Sequence, residues 1–236
     1  MEKIVKLVEF IDFSWQGEGP DAGQKCLILR FKKCNRIEAK KMCKWCDTAL
    51  KLKLFKEAEY KISDIDESIK KSNCMVMITG GEPSFENNLQ QTVDIINNTN
   101  AHLYNIETNG YKLLNLIDSI DEKKNIKYIY SPKLFDEEDL DENIKNVDHI
   151  KTNNKVHIKM VIEHIRDDEL IDFTKNLTFR FLSYLGSVNF NMNRVWLMPQ
   201  GKSKDELINN SPITFDLAEK YKTNFSSRNH VIYNFI

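Results

Sequence analysis

Glycine and proline are scarce in this chain, with 8 and 5 among its 236 residues. That scarcity excludes collagen-like, low-complexity and linker-rich architectures, and it makes each of these residues informative where it does occur. No apolar stretch approaches the roughly 18 residues that a membrane helix needs, so no membrane association is expected. Lys3, Lys6, Glu9 and Asp12 interrupt any apolar core of a signal peptide, and no small-residue cleavage site follows. A cytoplasmic location is therefore expected. Charge of one sign is not in excess either. The 34 basic and 35 acidic residues leave a formal net charge of -1, so overall basicity gives no reason to expect direct nucleic-acid contact. His102, His149, His157 and His164 show no metal-ligand spacing.

What is present suits a globular protein. Hydrophobic residues make up 41% and charged residues 29%, enough to bury a core and too apolar for disorder. The length predicts one domain over 1–236, and no linker or repeat interrupts it. Cys26 to Phe31, Cys74 to Ile78, Leu103 to Ile106, Ile126 to Tyr130, Val156 to Ile162 and Val195 to Met198 are short, β-branched or aromatic, and read as buried strands. Polar segments with helical spacing lie between several of them, at about 87–98, 111–120 and 167–177. Alternation of strand and helix predicts an α/β fold of parallel βα units. Six units fall short of a closed eight-unit barrel, which takes ~250 residues. An open, partial βα barrel of about six parallel strands is therefore expected. In such a fold the loops after the strand C-termini gather into the site. Those loops hold three cysteines, TGGEP (79–83), ETNG (107–110), SPK (131–133) and PQG (199–201).

Five cysteines divide by context. Cys26 and Cys74 sit inside apolar runs and read as inert core residues. Cys34, Cys43 and Cys46 lie in a polar, Lys-rich segment with the spacing C-x8-C-x2-C. A closed zinc site wants four ligands, commonly as two pairs, and there is no second CxxC. Three thiolates on a loop after a strand suit an iron–sulfur cluster with one iron open to a non-protein ligand. Zinc with a distant fourth ligand, or three unrelated thiols, stay open on spacing alone. Gly80 and Gly81 let the backbone approach a partner closely, although an ordinary βα turn would use the same residues. QGEGPDAG (16–23) is not a dinucleotide fingerprint. It reads GxGxxxG, precedes a strand, and carries Pro20 where the turn would begin. The acidic run 136–142 reads as a solvated face.

Three cysteines followed by Asp47 and Thr48, with TGGEP one βα unit later, resemble a radical S-adenosylmethionine (SAM) enzyme. QGEGPDAG, LRFKKCN, CKWCDT, ETNG, SPK and a histidine near the C-terminus resemble the 7-carboxy-7-deazaguanine synthase family within it, over nearly the whole length from Ser14 onward. The sequence departs from that pattern in the eight residues between Cys34 and Cys43, where three are usual; residues around 35–42 read as a loop insertion. The resemblance implies a single radical SAM domain, a [4Fe–4S] cluster on Cys34, Cys43 and Cys46, SAM on the open iron, and Mg2+ on Thr48. It implies a lyase that converts 6-carboxy-5,6,7,8-tetrahydropterin to 7-carboxy-7-deazaguanine with loss of ammonia, a step of queuosine and other 7-deazapurine biosynthesis. A 5′-deoxyadenosyl radical would abstract hydrogen from the pterin, and the cofactor would supply the hard chemistry.

By matching position, Trp45, Cys46, Asp47, Gly80, Gly81, Glu82, Asn109, Ser131, Lys133 and Gln200 would meet SAM. Trp15, Gln16, Gly17, Glu18, Arg30, Thr79, His230 and the carboxylate of Ile236 would meet the pterin. The apolar residues of 231–236 suggest a tail folded back and buried. Arg30 also reads as a barrel ion pair, Asn109 as a turn residue, and Thr48 as a helix cap. Seven basic residues against one acid in residues 30–46 suggest docking of an acidic electron donor such as a flavodoxin, and family resemblance implies a homodimer. Two other readings compete. One is another small radical SAM enzyme, such as a glycyl-radical activase, which leaves QGEGP and His230 without a task. The other is a zinc-stabilised nucleic-acid adaptor using the basic loop.

Overall fold

A computed structural model describes residues 2–43, 45–46, 48, 53–163 and 176–235. The chain forms two compact units. One comprises 1–16, 23–129 and 235–236, and the other 17–22 with 130–234.

All six apolar runs are strands. In the first unit β1 (Ile4–Leu7) pairs antiparallel with β4 (Ala58–Lys61). The main sheet runs in the order β2 (Glu9–Trp15), β3 (Lys25–Phe31), β5 (Met75–Gly80), β6 (Tyr104–Thr108) and β7 (Ile126–Tyr130). β2 is antiparallel to β3, whereas β3, β5 and β6 are parallel. A parallel strand is covered on both faces, which is why CLILRF and MVMI are continuous apolar runs, each buried along its length. The second unit holds β8 (Val156–Ile162), β9 (Val195–Pro199) and the short β10 (Asn224–Phe225), all parallel.

Between the strands lie α1 (Asn35–Glu38), α2 (Ile62–Ser72), α3 (Asn87–Asn98), α4 (Leu113–Asp118), α5 (Glu137–Ile150), α6 (Leu177–Ser187), α7 (Lys204–Tyr221) and α8 (Asn229–Tyr233). The helices expected at 87–98 and 111–120 are α3 and α4. The one expected at 167–177 falls almost wholly outside the described residues. Six of the described helices went unread, α1, α2, α5, α6, α7 and α8, and three of these carry a readable signal. In α2, Ile62, Ile65 and Ile69 bury one stripe, and Asn73 ends it in the left-handed conformation. In α7, Ser203 Oγ accepts from Glu206 N while the Glu206 carboxylate accepts from Lys202 N, a reciprocal N-terminal cap. The third is α5, which the acidic run begins. Asp136 caps it through Asp139 N, and Glu137, Glu138 and Asp139 oppose the helix dipole. The run is solvated except at Asp139 and Leu140, which are buried, and Asp139 accepts from Phe135 N.

The segment read as a loop insertion contains the single turn α1, with Cys34 at its N-cap position and Arg36 Nε donating to Lys41 O. Cys26 and Cys74 are fully buried, as expected of core thiols, and burial beside Cys74 pushes the Cys26 thiol up to about 12. The C-terminal tail corrects its expectation. None of α8 is buried, Tyr233 is 71% exposed, and Val231 and Ile232 are half-buried. Its polar first turn holds it instead, through Asn229 N to Gly17 O. No helix among the described residues is long and apolar enough to cross a membrane.

Arg194, just before β9, closes the α5–β8 connection. Its guanidinium donates to the carbonyls of Lys151 and Val156, each at 3.0 Å, and to that of Asn153, and lies over the Phe190 ring. Arg194→Met leaves these acceptors without their donor and is expected to lower stability by about 2–4 kcal/mol, read from the urea midpoint.

Candidate active site

In the first unit, the loops after β5 and β6 are tied together by one carboxylate. Glu82 is 1% exposed, and its carboxylate is met by donors. Oε1 accepts from Ser84 N at 3.2 Å, Ser84 Oγ at 2.7 Å and Thr108 Oγ1 at 2.6 Å, and Oε2 accepts from Asn109 N at 2.7 Å. Burial raises the Glu82 carboxyl above its ordinary range while these four donors pull the other way. The two glycines before it serve the same junction. Gly80 has φ +109°, and a Cβ on Gly81 would overlap the Lys33 carbonyl. Gly81 N donates to Phe31 O and Glu82 N to Lys33 O, so the end of β5 stays zipped to the chain entering the cysteine loop. Asn88 Nδ2 donates to both Lys33 O and Glu82 O. From ETNG, Asn109 Nδ2 donates to Asn35 Oδ1 at 2.8 Å and lies 4.0 Å from Cys34 Sγ, while its Oδ1 accepts from Tyr111 N.

Cys34, Cys43 and Cys46 are all half-buried. Burial, with added charge from Glu82 and Cys43, pushes the Cys34 thiol up to about 11. Thr48 Oγ1 lies 3.4 Å from Cys46 Sγ, and Trp45, between the cysteines, is half-buried. Among the described residues no three or more His, Cys, Asp or Glu side chains converge into a metal-binding group. The donor chemistry nonetheless fits an iron–sulfur cluster, with three soft thiols on one loop at the C-terminal end of a parallel strand. Asp47 lies outside the described residues.

Strand register assembles a second group. Arg30 stands opposite Thr79, Ile28 opposite Met77, and Met77 opposite Asn105. Alternation then places Arg30, Met77, Thr79, Asn105 and Glu107 on one face of the sheet. Gln16, 4% exposed, reaches the same face, its Nε2 lying 3.2 Å from both Met77 Sδ and Glu107 Oε1. Three of the expected substrate residues, Gln16, Arg30 and Thr79, thus share a surface. Arg30 is also the ion pair it could have been, with Nε 2.7 Å from Glu9 Oε2 on β2. Glu107 was missed, although it begins the ETNG motif; an acid directly after the run ending at Ile106 was its signal. Trp15 is 44% exposed and packs edge-on against Phe13.

The second unit brings together Gly17, Glu18 and His230. A Cβ on Gly17 would strike the His230 ring. Glu18 Oε1 accepts from Arg228 Nε at 2.9 Å and lies 3.6 Å from His230 Nε2, and Oε2 is 2.8 Å from Lys159 Nζ. Burial alone would raise the Glu18 carboxyl; Lys159, Arg228 and His230 reverse this and hold it well below the usual carboxylate range. Sequence reasoning missed both Lys159 and Arg228. A lysine inside the buried strand VHIKMVI was the available signal for the first. Arg228 Nη1 also holds Gly201 O in the PQG loop, where Gln200 N donates to Ile162 O. In SPK, Lys133 Nζ donates to Ser131 Oγ, and Asn143 secures the Lys133 carbonyl. Ile236 lies outside the described residues.

An open, partly parallel βα sheet flanked by helices, with three cysteines on the loop after its first parallel strand, defines the radical SAM class of fold. The fold resembles the crystal structure of QueE from Escherichia coli, with a TM-score of 0.58 at 19% identity over 96% of this chain and 95% of that one. No protein-family model matches the chain. Among curated proteins, the 7-carboxy-7-deazaguanine synthase of Haemophilus influenzae is 33% identical over 114 residues, 48% of this chain; the match spans about half of that relative, 49%. The 7-carboxy-7-deazaguanine synthase of Hyperthermus butylicus is 24% identical over 98% of this chain and 94% of its own length. Distant sequence relatives and fold agree, and the resemblance to the 7-carboxy-7-deazaguanine synthases of the radical SAM superfamily is borne out.

The Glu18 contacts generate a pH prediction. The folded value lies below the ordinary 4.5, so the pairing stabilises fully above pH 4.5 and is lost as pH falls through the folded value. Glu18→Gln is expected to be less stable than the native chain at neutral pH, with the gap narrowing below pH 4.5. Urea midpoints taken across pH check this, and a gap independent of pH would contradict it.

Proposed function

We propose that this chain is a radical SAM carbon–nitrogen lyase that converts 6-carboxy-5,6,7,8-tetrahydropterin to 7-carboxy-7-deazaguanine with release of ammonia. The observation that carries the reading is the sheet face bearing Gln16, Arg30, Thr79 and Glu107 in the unit whose neighbouring loops hold the three cysteines and TGGEP. Cys34, Cys43 and Cys46 would hold a [4Fe–4S] cluster, which when bound would supply one-electron chemistry toward SAM. Backbone groups of Gly80 and Gly81, with Glu82 fixing their loop, receive the methionyl end. Asn109, Ser131, Lys133 and Gln200 line the remainder of the SAM site, with Trp45, Cys46 and Asp47 at the cluster side. Arg30 clamps the pterin carboxylate, a bidentate task suited to guanidinium. Trp15, Gln16, Gly17, Glu18, Thr79 and His230 hold the ring, and Thr48 offers a hard oxygen to Mg2+.

Anaerobically reconstituted protein given SAM, dithionite and the tetrahydropterin should yield the deazaguanine and ammonia. Cleavage of SAM without any such product would overturn the substrate assignment. Cys34→Ala, Cys43→Ala and Cys46→Ala should each lose the cluster iron and SAM cleavage. Cys26→Ala and Cys74→Ala should keep both and lose about 1 kcal/mol of stability.

The protein acts in the cytoplasm as a homodimer in this reading, with an acidic donor such as a flavodoxin docking on the basic cysteine segment. Lys40 and Lys41 are exposed, and Lys32 donates to Phe55 O. Neutralising the three should slow reduction by flavodoxin, most strongly at low salt, and leave dithionite reduction unchanged. Unchanged flavodoxin rates would remove that surface from consideration.

A further inference from the structure

The chain between Cys34 and Cys43 makes an excursion that closes on itself. After the single turn α1, Lys40 takes the left-handed conformation (φ +57°) and the backbone doubles back. Lys40 N donates to Ile37 O at 3.0 Å and Lys41 N to Arg36 O at 2.8 Å, the pair of bonds that ends a helix by reversing the chain. The Arg36 side chain adds a second tie between the same two residues, its Nε donating to Lys41 O at 3.1 Å. Arg36 is 9% exposed, although Glu38, Ala39, Lys40, Lys41 and Met42 are open to solvent. A guanidinium withdrawn from water in so exposed a stretch must be held by acceptors, and one of these is the carbonyl that closes the loop.

The entry to the excursion is fixed as well. Lys33 O accepts from Glu82 N and Asn88 Nδ2, Cys34 O from Ile37 N, and Asn35 Oδ1 from Asn109 Nδ2. The chain therefore leaves at 36 from an anchored position and returns beside it at 41, with five of the eight residues between the cysteines, 36–40, spent on the excursion. A ligand at the end of an open segment of that length would have to be ordered when a metal group binds, at an entropic cost; here the ordering is already present in the folded chain. We propose that Arg36 is a positioning residue that clasps this excursion shut, so that Cys34 and Cys43, eight residues apart in sequence, are presented as neighbours only three apart. The inference rests on the reading above, in which these cysteines hold one cluster, and it names the side chain that makes so long a spacing usable.

Phenylarsine oxide bridges two neighbouring thiols with loss of water, and so reads their proximity without a cluster. In the full-length Cys46→Ala chain before reconstitution it should bridge Cys34 to Cys43, located by mass spectrometry. Arg36→Met in that background should weaken the bridge by about ten-fold, as loss of a charge-assisted hydrogen bond predicts. Removal of residues 36–40 should restore it, because the shortened chain has no excursion to close. After reconstitution with iron and sulfide, the native and shortened chains with all cysteines present should give the same electron paramagnetic resonance signal when reduced, and Arg36→Met should lose iron to a chelator faster than either. Failure of the Cys46→Ala chain to form the bridge overturns the proposal even if no other variant folds. Folded Arg36→Met that bridges as tightly does so too, as does a folded shortened chain that cannot bridge or gives a different signal. Bridging that depends on Arg36 in a protein that takes up no iron leaves the clasp standing and overturns the cluster reading.

Discussion

The strand ends of the first unit are organised around the buried carboxylate of Glu82. Four donors from two stretches of chain converge on two oxygens, so the positions of TGGEP and ETNG are not independent. A charge-bearing group in that environment is tolerated only if its acceptors are filled. The arrangement therefore commits Ser84, Thr108 and the Asn109 amide to one geometry. Through Asn109 and the Lys33 carbonyl the same junction reaches the cysteine loop. Gly80 and Gly81 follow as a necessity, because any side chain would force that loop away from the end of β3.

The protein meets the cost of buried carboxylates in two opposite ways. Glu82 has neutral donors, and burial prevails, raising its carboxyl. Glu18 has cations, which prevail over burial and lower it. The first solution holds two loops of the first unit together. The second ties the turn that the sequence motif QGEGP marks to β8 through Lys159 and to the C-terminal segment through Arg228.

Polar residues on the sheet follow the pleat. Arg30, Thr79, Asn105 and Glu107 occupy one face through strict alternation, and the buried residues of the other face are apolar apart from Tyr104 and Thr108. Arg30 is stabilised by Glu9 from the antiparallel edge strand β2, a contact that costs no extra element because register already places the two opposite each other. Gln16, at the end of that same strand, then reaches Met77 and Glu107.

The sequence by itself determined the strands, because runs buried on both faces must be apolar throughout. It also determined the strand-end motifs, because glycine, proline and clustered cysteine have few other uses in a chain so poor in them. Helix α3 was legible from its spacing. Helix α7 carried a readable cap in Ser203 and Glu206, and α5 began in acids that composition alone reads as a solvated face. The tail was misread because apolar content was weighed without the polar turn that anchors it. Only tertiary structure could show that Glu107 stands near Gln16, or that Lys159 and Arg228 meet Glu18. Those pairs are 91, 141 and 210 residues apart. Partnership over such separations is fixed by strand register and turn geometry, which no local pattern of residues encodes.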